Sequence, residues 1–358
     1  MIRKRKLSIK SYLYPYRVNF NFRIKDLNKS YKNQFFLIDK KIFNKYKLKK
    51  IISKDKFLLI KSDEKSKSFE NLIKIINFLL KKNINRKDII FAIGGGVVQD
   101  IAGFVSSILL RGVEWRFFPT TILSQCDSCI GGKTSINFGG TKNKVGNFYP
   151  PKEIYIDTNF ISSLNERELR SGVGEMAHCF FVKDKNNFNF FSKNFKEGIN
   201  KNLSVLTKLI YKSLLIKKRF IEKDEFDKGP RLILNYGHSF GHALEKITNY
   251  QLPHGIAVAH GMNIANFVSW KKKLISLKEF EKLNRILKII WGKFDLKAIS
   301  INKYIEAIKK DKKSIGNLIR VILTRGIGKM FIYEFKEIKH LKKILIEYCN
   351  YNQIKIKI

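Results

Sequence analysis

The sequence predicts an α/β amino-terminal domain followed by a mostly α-helical carboxy-terminal domain, on three observations. Short β-rich runs alternate with helical stretches up to about Leu164. A glycine run, Gly94-Gly95-Gly96, sits directly between one such run and a helical stretch. Beyond Leu164 strand-like runs become rare and long helical periods take over. Strand–helix alternation favours a mostly parallel sheet with helices on both faces, because parallel neighbours need a crossover and a helix supplies it. The predicted boundary lies near residue 165, giving domains 1–165 and 166–358.

Each element has its own signal. Phe35-Phe36-Leu37-Ile38 and Phe57-Leu58-Leu59-Ile60 are short apolar runs, the pattern of buried strands. Glu70 to Lys81 carries Leu72, Ile73, Ile76, Phe78 and Leu79 at helical spacing. Ile89-Ile90-Phe91-Ala92-Ile93 is a further strand and runs into the glycines. Val97 to Leu110 reads as a helix, and Phe117-Phe118-Pro119 and Ile154-Tyr155-Ile156 complete the strands. From Arg167 the helical periods continue to the end, with Ile319-Arg320-Val321-Ile322-Leu323 a candidate strand among them. Lys271 to Lys282 reads as a solvated helix face rather than a linker, and no internal repeat is present.

A chain of 358 residues with 44% hydrophobic side chains can bury the cores of two ordinary domains. Its apolar stretches are broken by charge within about a dozen residues, short of a bilayer span, so no membrane partner is expected. Met1-Ile2-Arg3-Lys4-Arg5-Lys6 is basic with no apolar segment behind it, which argues against a secretory signal and for a cytoplasmic protein. The net charge of +41 invites a nucleic-acid reading. The lysines are spread along the chain, however, with Ile, Asn and Phe abundant beside them, the mark of coding bias toward A and T codons. No specific nucleic-acid partner is expected, although a basic surface steers anionic substrates inward. Cys126-Asp127-Ser128-Cys129 fits a C-x-x-C spacing but has no second pair to complete a metal knuckle. With Cys179 and Cys349 these read as reduced cysteines.

The chemistry concentrates in a few segments. Glu175 lies in Gly174-Glu175-Met176-Ala177-His178, and His238 and His254 follow much later. One carboxylate and two imidazoles suit a divalent ion such as zinc, and three protein ligands leave a position open for a substrate oxygen. His238 and His242 share a helix face, so spacing alone leaves His242 and His254 both open as the second imidazole. Ser239 stands where the H-E-x-x-H pattern needs glutamate, which disfavours a zinc protease. His260 and His340 have no such company. Gly94 to Asp100 follows a strand and opens a helix, where glycine lets the backbone approach a pyrophosphate and the helix end supplies N–H groups. The usual fingerprint has a third glycine where Gln99 stands. Ser128 to Thr134 ends like a Walker A loop but lacks its first glycine. Lys133 can still reach a phosphate, and Lys142-Asn143 adds a charge and an amide; read alone, these are ordinary loop residues. A metal and a dinucleotide in one chain point to redox chemistry on an alcohol.

Together, several segments resemble the 3-dehydroquinate synthase family of sugar-phosphate cyclases. They are Gly94 to Val98 with Asp100, Arg111-Gly112, Pro119-Thr120-Thr121, Asp127-Ser128 through Gly131-Gly132-Lys133-Thr134, Lys142-Asn143, Asn235 through Glu245, and His254-Gly255 before Ala257-Val258-Ala259. The likeness runs from about residue 60 to 330. It implies a Rossmann-like NAD-binding domain, then a helical metal- and substrate-binding domain, with the active site in the cleft between them. It implies Glu175, His238 and His254 as ligands of zinc or cobalt, with His242 facing the substrate. The NAD+ contacts it implies are Asp63, Glu64, Lys67, Gly96, Val97, Val98, Gln99, Asp100, Thr120, Thr121, Lys133, Lys142, Phe160, Ile161, Ser162 and Ser163. The catalytic and substrate contacts it implies are Arg111, Asp127, Lys133, Lys142, Asn143, Lys217, Arg231, Asn235, His242 and the pair Lys312-Lys313. It also implies a homodimer with Arg111 reaching across the interface, and a sugar-acid phosphate substrate. The implied reaction, a step of the shikimate pathway, turns 3-deoxy-D-arabino-heptulosonate 7-phosphate into 3-dehydroquinate and phosphate. It proceeds by transient oxidation, phosphate elimination, reduction and aldol closure. The alternatives are another cyclase, acting on sedoheptulose 7-phosphate or glucose 6-phosphate, and a metal-dependent polyol dehydrogenase. The chain departs from the family pattern in three places: Gln99 replaces a glycine, Cys129 and Ile130 replace a small residue and a valine, and His178 stands where an active-site lysine is expected.

Overall fold

The structure, a computed structural model, describes residues 6–26, 33–310 and 318–357. The chain divides into two compact units, Met1–Ser163 with Lys217–Phe226, and Leu164–Ile216 with Asp227–Ile358.

The first unit is built on β1 (Lys6–Ile9), β2 (Tyr16–Phe20), β3 (Gln34–Asp39), β4 (Phe57–Ile60), β5 (Ile89–Gly94), β6 (Glu114–Pro119), β7 (Lys133–Phe138), β8 (Thr141–Phe148) and β9 (Glu153–Ile156). Its helices are α1 (Lys40–Lys45), α2 (Phe69–Lys81) and α3 (Gly96–Ile108). Seven strands form one sheet in the order β1-β2-β9-β6-β5-β3-β4. Every neighbouring pair is parallel except β1–β2. The inner strand β5 is buried along its whole length, which is why its sequence is apolar without alternation. Phe36 stacks on Phe91 with ring centroids 5.3 Å apart, at the heart of a core that includes Ile38, Ile93 and Phe118.

Two local expectations need correction. The helix expected over Val97–Leu110 stops sooner, because Leu110 and Arg111 take left-handed φ values of 50° and 63°. Lys133, Lys142 and Asn143 do not lie in loops. They sit on the antiparallel hairpin β7–β8, closed by Gly139 and Gly140 at φ 56° and 69°. Such a two-residue turn needs left-handed backbone at both centres, and glycine adopts it without strain.

The second unit holds α4 (Glu166–Lys183), α5 (Lys185–Ile199), α6 (Leu203–Ile221), α7 (His238–Ile247), α8 (His254–Lys271), α9 (Leu277–Trp291), α10 (Ile301–Lys309) and α11 (Ile338–Tyr351). The end of α6, from Lys217, groups with the first unit. Short strands β10 (Ala298–Ser300), β11 (Ile319–Thr324), β12 (Met330–Phe335) and β13 (Lys355–Lys357) form two small ladders, β10–β13 and β11–β12. The candidate strand at Ile319 is β11. Lys271–Lys282 is not one helix face: α8 ends at Lys271, and Ser276 caps α9 by accepting from Glu279 N at 3.2 Å. Helix α8 is buried on all sides from Gly255 to Ser269, the signature of a helix at the centre of its unit.

Candidate active site

Three helices of the second unit converge on one carboxylate. Helix α4 begins with a capping box, Asn165 and Glu168 each accepting the other's backbone N–H at 2.9 Å. Further along it, Glu175 is 3% exposed. Helices α4 and α8 cross where Gly174 meets Gly255. A Cβ on Gly174 would lie 2.2 Å from Gly255 O, and one on Gly255 only 1.8 Å from Ser171 O. This glycine contact brings His254 Nε2 to 3.3 Å from Glu175 Oε2. From α7, His238 Nε2 comes to 3.4 Å from Glu175 Oε1. His238, His242 and Glu245 share one face of α7. Glu245 Oε2 accepts from His254 Nδ1 at 3.0 Å, which keeps a proton on that nitrogen and leaves Nε2 facing Glu175. His178, one turn after Glu175, places Nε2 at 3.7 Å from Glu175 Oε1.

The electrostatics favour a cation here. Burial alone would raise the Glu175 carboxyl, but the charges of His254 and His238 outweigh it and hold the group well below the usual carboxylate range. Burial pushes His238 down to about 4 against the pull of Glu175. Burial would also lower His254, yet Glu245 and Glu175 together lift it well above an ordinary imidazole. Glu175 Oε2 is buried, with His254 Nε2 3.3 Å away as its neighbour and no hydrogen bond of good geometry, and an ion between the two suits such an oxygen. Bonds of 2.0–2.1 Å in tetrahedral array separate ligand atoms by about 3.3–3.4 Å. The Glu175 contacts to His238 and His254, 3.4 and 3.3 Å, match that spacing. The chemistry of the donor set suits a divalent ion, although the groups whose donor atoms lie mutually within 4.8 Å place His254 apart from Glu175 and His238. Glu175 meets both expected imidazoles through different oxygens. The groups whose donor atoms lie mutually within 4.8 Å include Glu175–His178–His238 and His242–Glu245–His254.

In the first unit, β4, β5, β6 and β9 run parallel, so the residues that follow them gather at one sheet edge. Asp63 follows β4, Gly96 follows β5, Thr120 and Thr121 follow β6, and Phe160 follows β9. Gly95, Gly96 and Val97 are half-buried at that edge, while Val98 and Gln99 turn inward. A Cβ on Gly96 would meet nothing within 4 Å, leaving room for a ligand backbone. Thr120 N donates to Gly94 O at 2.9 Å and ties the two turns together. Lys67, 3% exposed, is the hub beside them: it donates to Asp100 at 2.6 Å and to Asn143, with Glu64 at 3.5 Å. Asp63 caps the short turn before it, accepting from Ser66 N at 3.0 Å. Lys217 pairs with Asp127 at 2.7 Å and also donates to its carbonyl.

The amino-terminal model of 3-dehydroquinate synthase matches residues 57–171, and the carboxy-terminal model matches residues 172–314. The chain belongs to the 3-dehydroquinate synthase family. It is 38% identical over 345 residues to the 3-dehydroquinate synthase of Dictyoglomus thermophilum, covering 95% of this chain and 97% of that protein. It is 40% identical over 294 residues to that of Helicobacter pylori strain G27, covering 80% of each. Among solved structures, a 2-deoxy-scyllo-inosose synthase complexed with carbaglucose-6-phosphate, NAD+ and Co2+ superposes with a TM-score of 0.86 at 21% identity, over 96% of this chain and all of that one. The 2-epi-5-epi-valiolone synthase of Streptomyces hygroscopicus subsp. jinggangensis, with NAD+ and Zn2+, gives 0.84 at 21% identity, covering 94% of this chain and 97% of that one. At that identity the two structures establish the α/β-plus-helical fold alone.

Against the family pattern, the remaining positions fall as follows. Gln99 turns its amide away from the glycine turn: Nε2 donates to Ser128 O and Oε1 accepts from Ser128 Oγ, both at 2.6 Å. Phe160 and Ile161 are buried in the core, with Phe160 against Tyr46, whereas Ser162 is exposed and Ser163 half-buried. Arg111 and Lys133 are exposed and Lys142 is half-buried, 3.9 Å from Glu64. In the second unit Arg231 is buried, while Asn235 and His242 are half-buried, with Asn235 donating to Leu232 O at 2.9 Å. Lys312 and Lys313 lie outside the described residues. None of the four cysteines is in a disulfide, and all are buried. His260 is structural, stacked on Trp291 and bonded to Phe294 O at 2.9 Å. Two residues escaped sequence reasoning. Glu245 had a signal, its place seven residues after His238 on the same helix face. Asn137 had none: it binds Glu64 and the Asn143 N–H from within the unforeseen hairpin.

Proposed function

We propose that this chain converts 3-deoxy-D-arabino-heptulosonate 7-phosphate to 3-dehydroquinate and phosphate. The observation that carries the reading is Glu175 with one oxygen on His238 and the other on His254, in a chain of this family. Glu175, His238 and His254 would hold one divalent ion, zinc or cobalt, which supplies Lewis-acid polarisation of the hydroxyl to be oxidised. The parallel-strand edge from Asp63 to Phe160, with the Gly96 turn and Lys67, would hold NAD+, which would supply a hydride acceptor for the substrate and, as NADH, the donor that returns it, so that no net redox results. Glu245 keeps a proton on His254 Nδ1 and so holds Nε2 in its working orientation.

The substrate's carboxylate and phosphate call for cations. Arg111, Lys133, Lys142, Lys217, Arg231 and the pair Lys312-Lys313 supply them, with Asn143, Asn235 and His242 donating hydrogen bonds. Asp127 fixes the Lys217 ammonium in place. Holding one substrate conformer through these contacts makes the closing aldol step intramolecular and oriented. The same reading assigns the chain a homodimeric state and a cytoplasmic location; among the described residues no helix is long and apolar enough to cross a membrane. The test combines the protein, NAD+, zinc and the keto-acid phosphate, and follows phosphate, carbocycle and NADH together. Equal yields of phosphate and carbocycle without net NADH are expected. Accumulating NADH, or phosphate released only from sedoheptulose 7-phosphate or glucose 6-phosphate, would overturn the assignment.

A further inference from the structure

His178 is the member of the carboxylate–imidazole cluster that the family pattern leaves unexplained, because a lysine is expected there. An ammonium has no lone pair to give a metal, whereas a neutral imidazole does. His178 is 2% exposed and one helical turn from Glu175, so its ring has little freedom to turn elsewhere. Its Nε2 lies 3.7 Å from Glu175 Oε1, the oxygen that His238 Nε2 approaches at 3.4 Å. The donor atoms of Glu175, His178 and His238 all lie within 4.8 Å of one another. Ligand atoms around a tetrahedral ion sit about 3.3–3.4 Å apart, so a movement of a few tenths of an ångström brings His178 to ligand spacing from Glu175 Oε1. The rings of His178 and His238 pack edge to face with centroids 5.1 Å apart.

The geometry points to His178 as an additional protein ligand of the ion held by Glu175, His238 and His254. The inference rests on the reading of this cluster as a metal centre and adds a donor to it. The centre then has three imidazoles and one carboxylate in place of two imidazoles, one carboxylate and a nearby fixed cation. The ion is held more tightly, and a substrate oxygen enters as a fifth ligand, an expansion that zinc tolerates.

Cobalt(II) tests this without turnover, since its visible absorption reports donor number and geometry. The metal-free full chain and the variants His178→Gln and His178→Lys are titrated with Co2+, after thermal melting shows each variant folded. The parent chain should bind one equivalent. Both variants should bind at least about tenfold more weakly, with a shifted visible band. The lysine variant restores the family residue and keeps the test alive where glutamine perturbs the fold. Wild-type affinity and an unchanged band in both variants would overturn the role of His178 alone. Failure of the parent chain to take up any Co2+ would overturn the metal-centre reading, and this inference with it.

Discussion

Replacing Gly255 with alanine strikes the helix crossing on which the cluster depends. The new Cβ would fall 1.8 Å from Ser171 O and 2.9 Å from Glu175 N, where real Cβ atoms keep at least 3.0 Å. Both obstacles are backbone of α4, so no side chain can swing aside. The helices must part by about 1.2 Å, and overpacking of this kind costs about 1–3 kcal/mol. The His254–Glu175 contact of 3.3 Å would open to about 4.5 Å. An ion with 2.0–2.1 Å bonds spans at most about 4.2 Å between two ligands, even in a straight line. That ion can no longer bond to His254 Nε2 and Glu175 Oε2 together. The expected result is loss of stoichiometric zinc by calorimetry and elemental analysis, a melting temperature lower by several degrees, and no phosphate release. Stoichiometric zinc at wild-type affinity with an unchanged melting temperature would show that the crossing does not set the site.

Four further outcomes follow from the same geometry. Gly96→Ala meets open space, so thermal stability should be kept while NAD+ affinity falls at least about tenfold in calorimetry; undiminished binding would remove the turn from the cofactor site. Glu245→Gln takes the carboxylate from His254 Nδ1 and should weaken zinc binding about 10–100-fold, and an equal affinity would make Glu245 merely structural. Lys67→Met strands Asp100 and should cost about 2 kcal/mol in urea unfolding, below the 3–5 of fully buried pairs because the Asp100 side chain is 21% exposed. A change under about 0.5 kcal/mol would class the pair with exposed ones. Chelation should abolish turnover, with Zn2+ or Co2+ restoring it to the parent chain but not to His238→Ala; activity that survives exhaustive chelation would remove the metal from the reaction.

The buried parallel strands β3 and β5 were legible because both their faces are covered and they are nearly continuous apolar runs, and the half-buried edge strand β4 is apolar throughout as well. Hairpin β7–β8 was not, since its strands carry Lys133, Asn137, Lys142 and Asn143 in place of a clear alternation. Its one signal was the Gly139-Gly140 pair, which fits a two-residue turn. Strands β1, β2, β10 and β13 are three to five residues long and owe their existence to partners distant in sequence. In the cluster, Glu175, His238 and His254 could be named from residue type and resemblance. The spacing of three residues within α4 already puts His178 beside Glu175, but the sequence could not show that Glu245 steers His254, because that depends on how α7 and α8 cross. Gln99 looked like a defect in the phosphate turn until its amide was found bonded to Ser128, a contact no local pattern announces.

Helix α8 also limits where this chain can absorb mutational drift. The chain carries 71 lysines and arginines, and exposed faces take such residues at little cost. Within α8 the only lysine is Lys271, its last residue. Upstream of it, small side chains let neighbouring backbones touch, and a longer one has nowhere to go. The periphery therefore acts as a reservoir for substitutions while one central rod stays chemically conservative. A genome could rewrite much of this surface and still leave the carboxylate and its imidazoles in register.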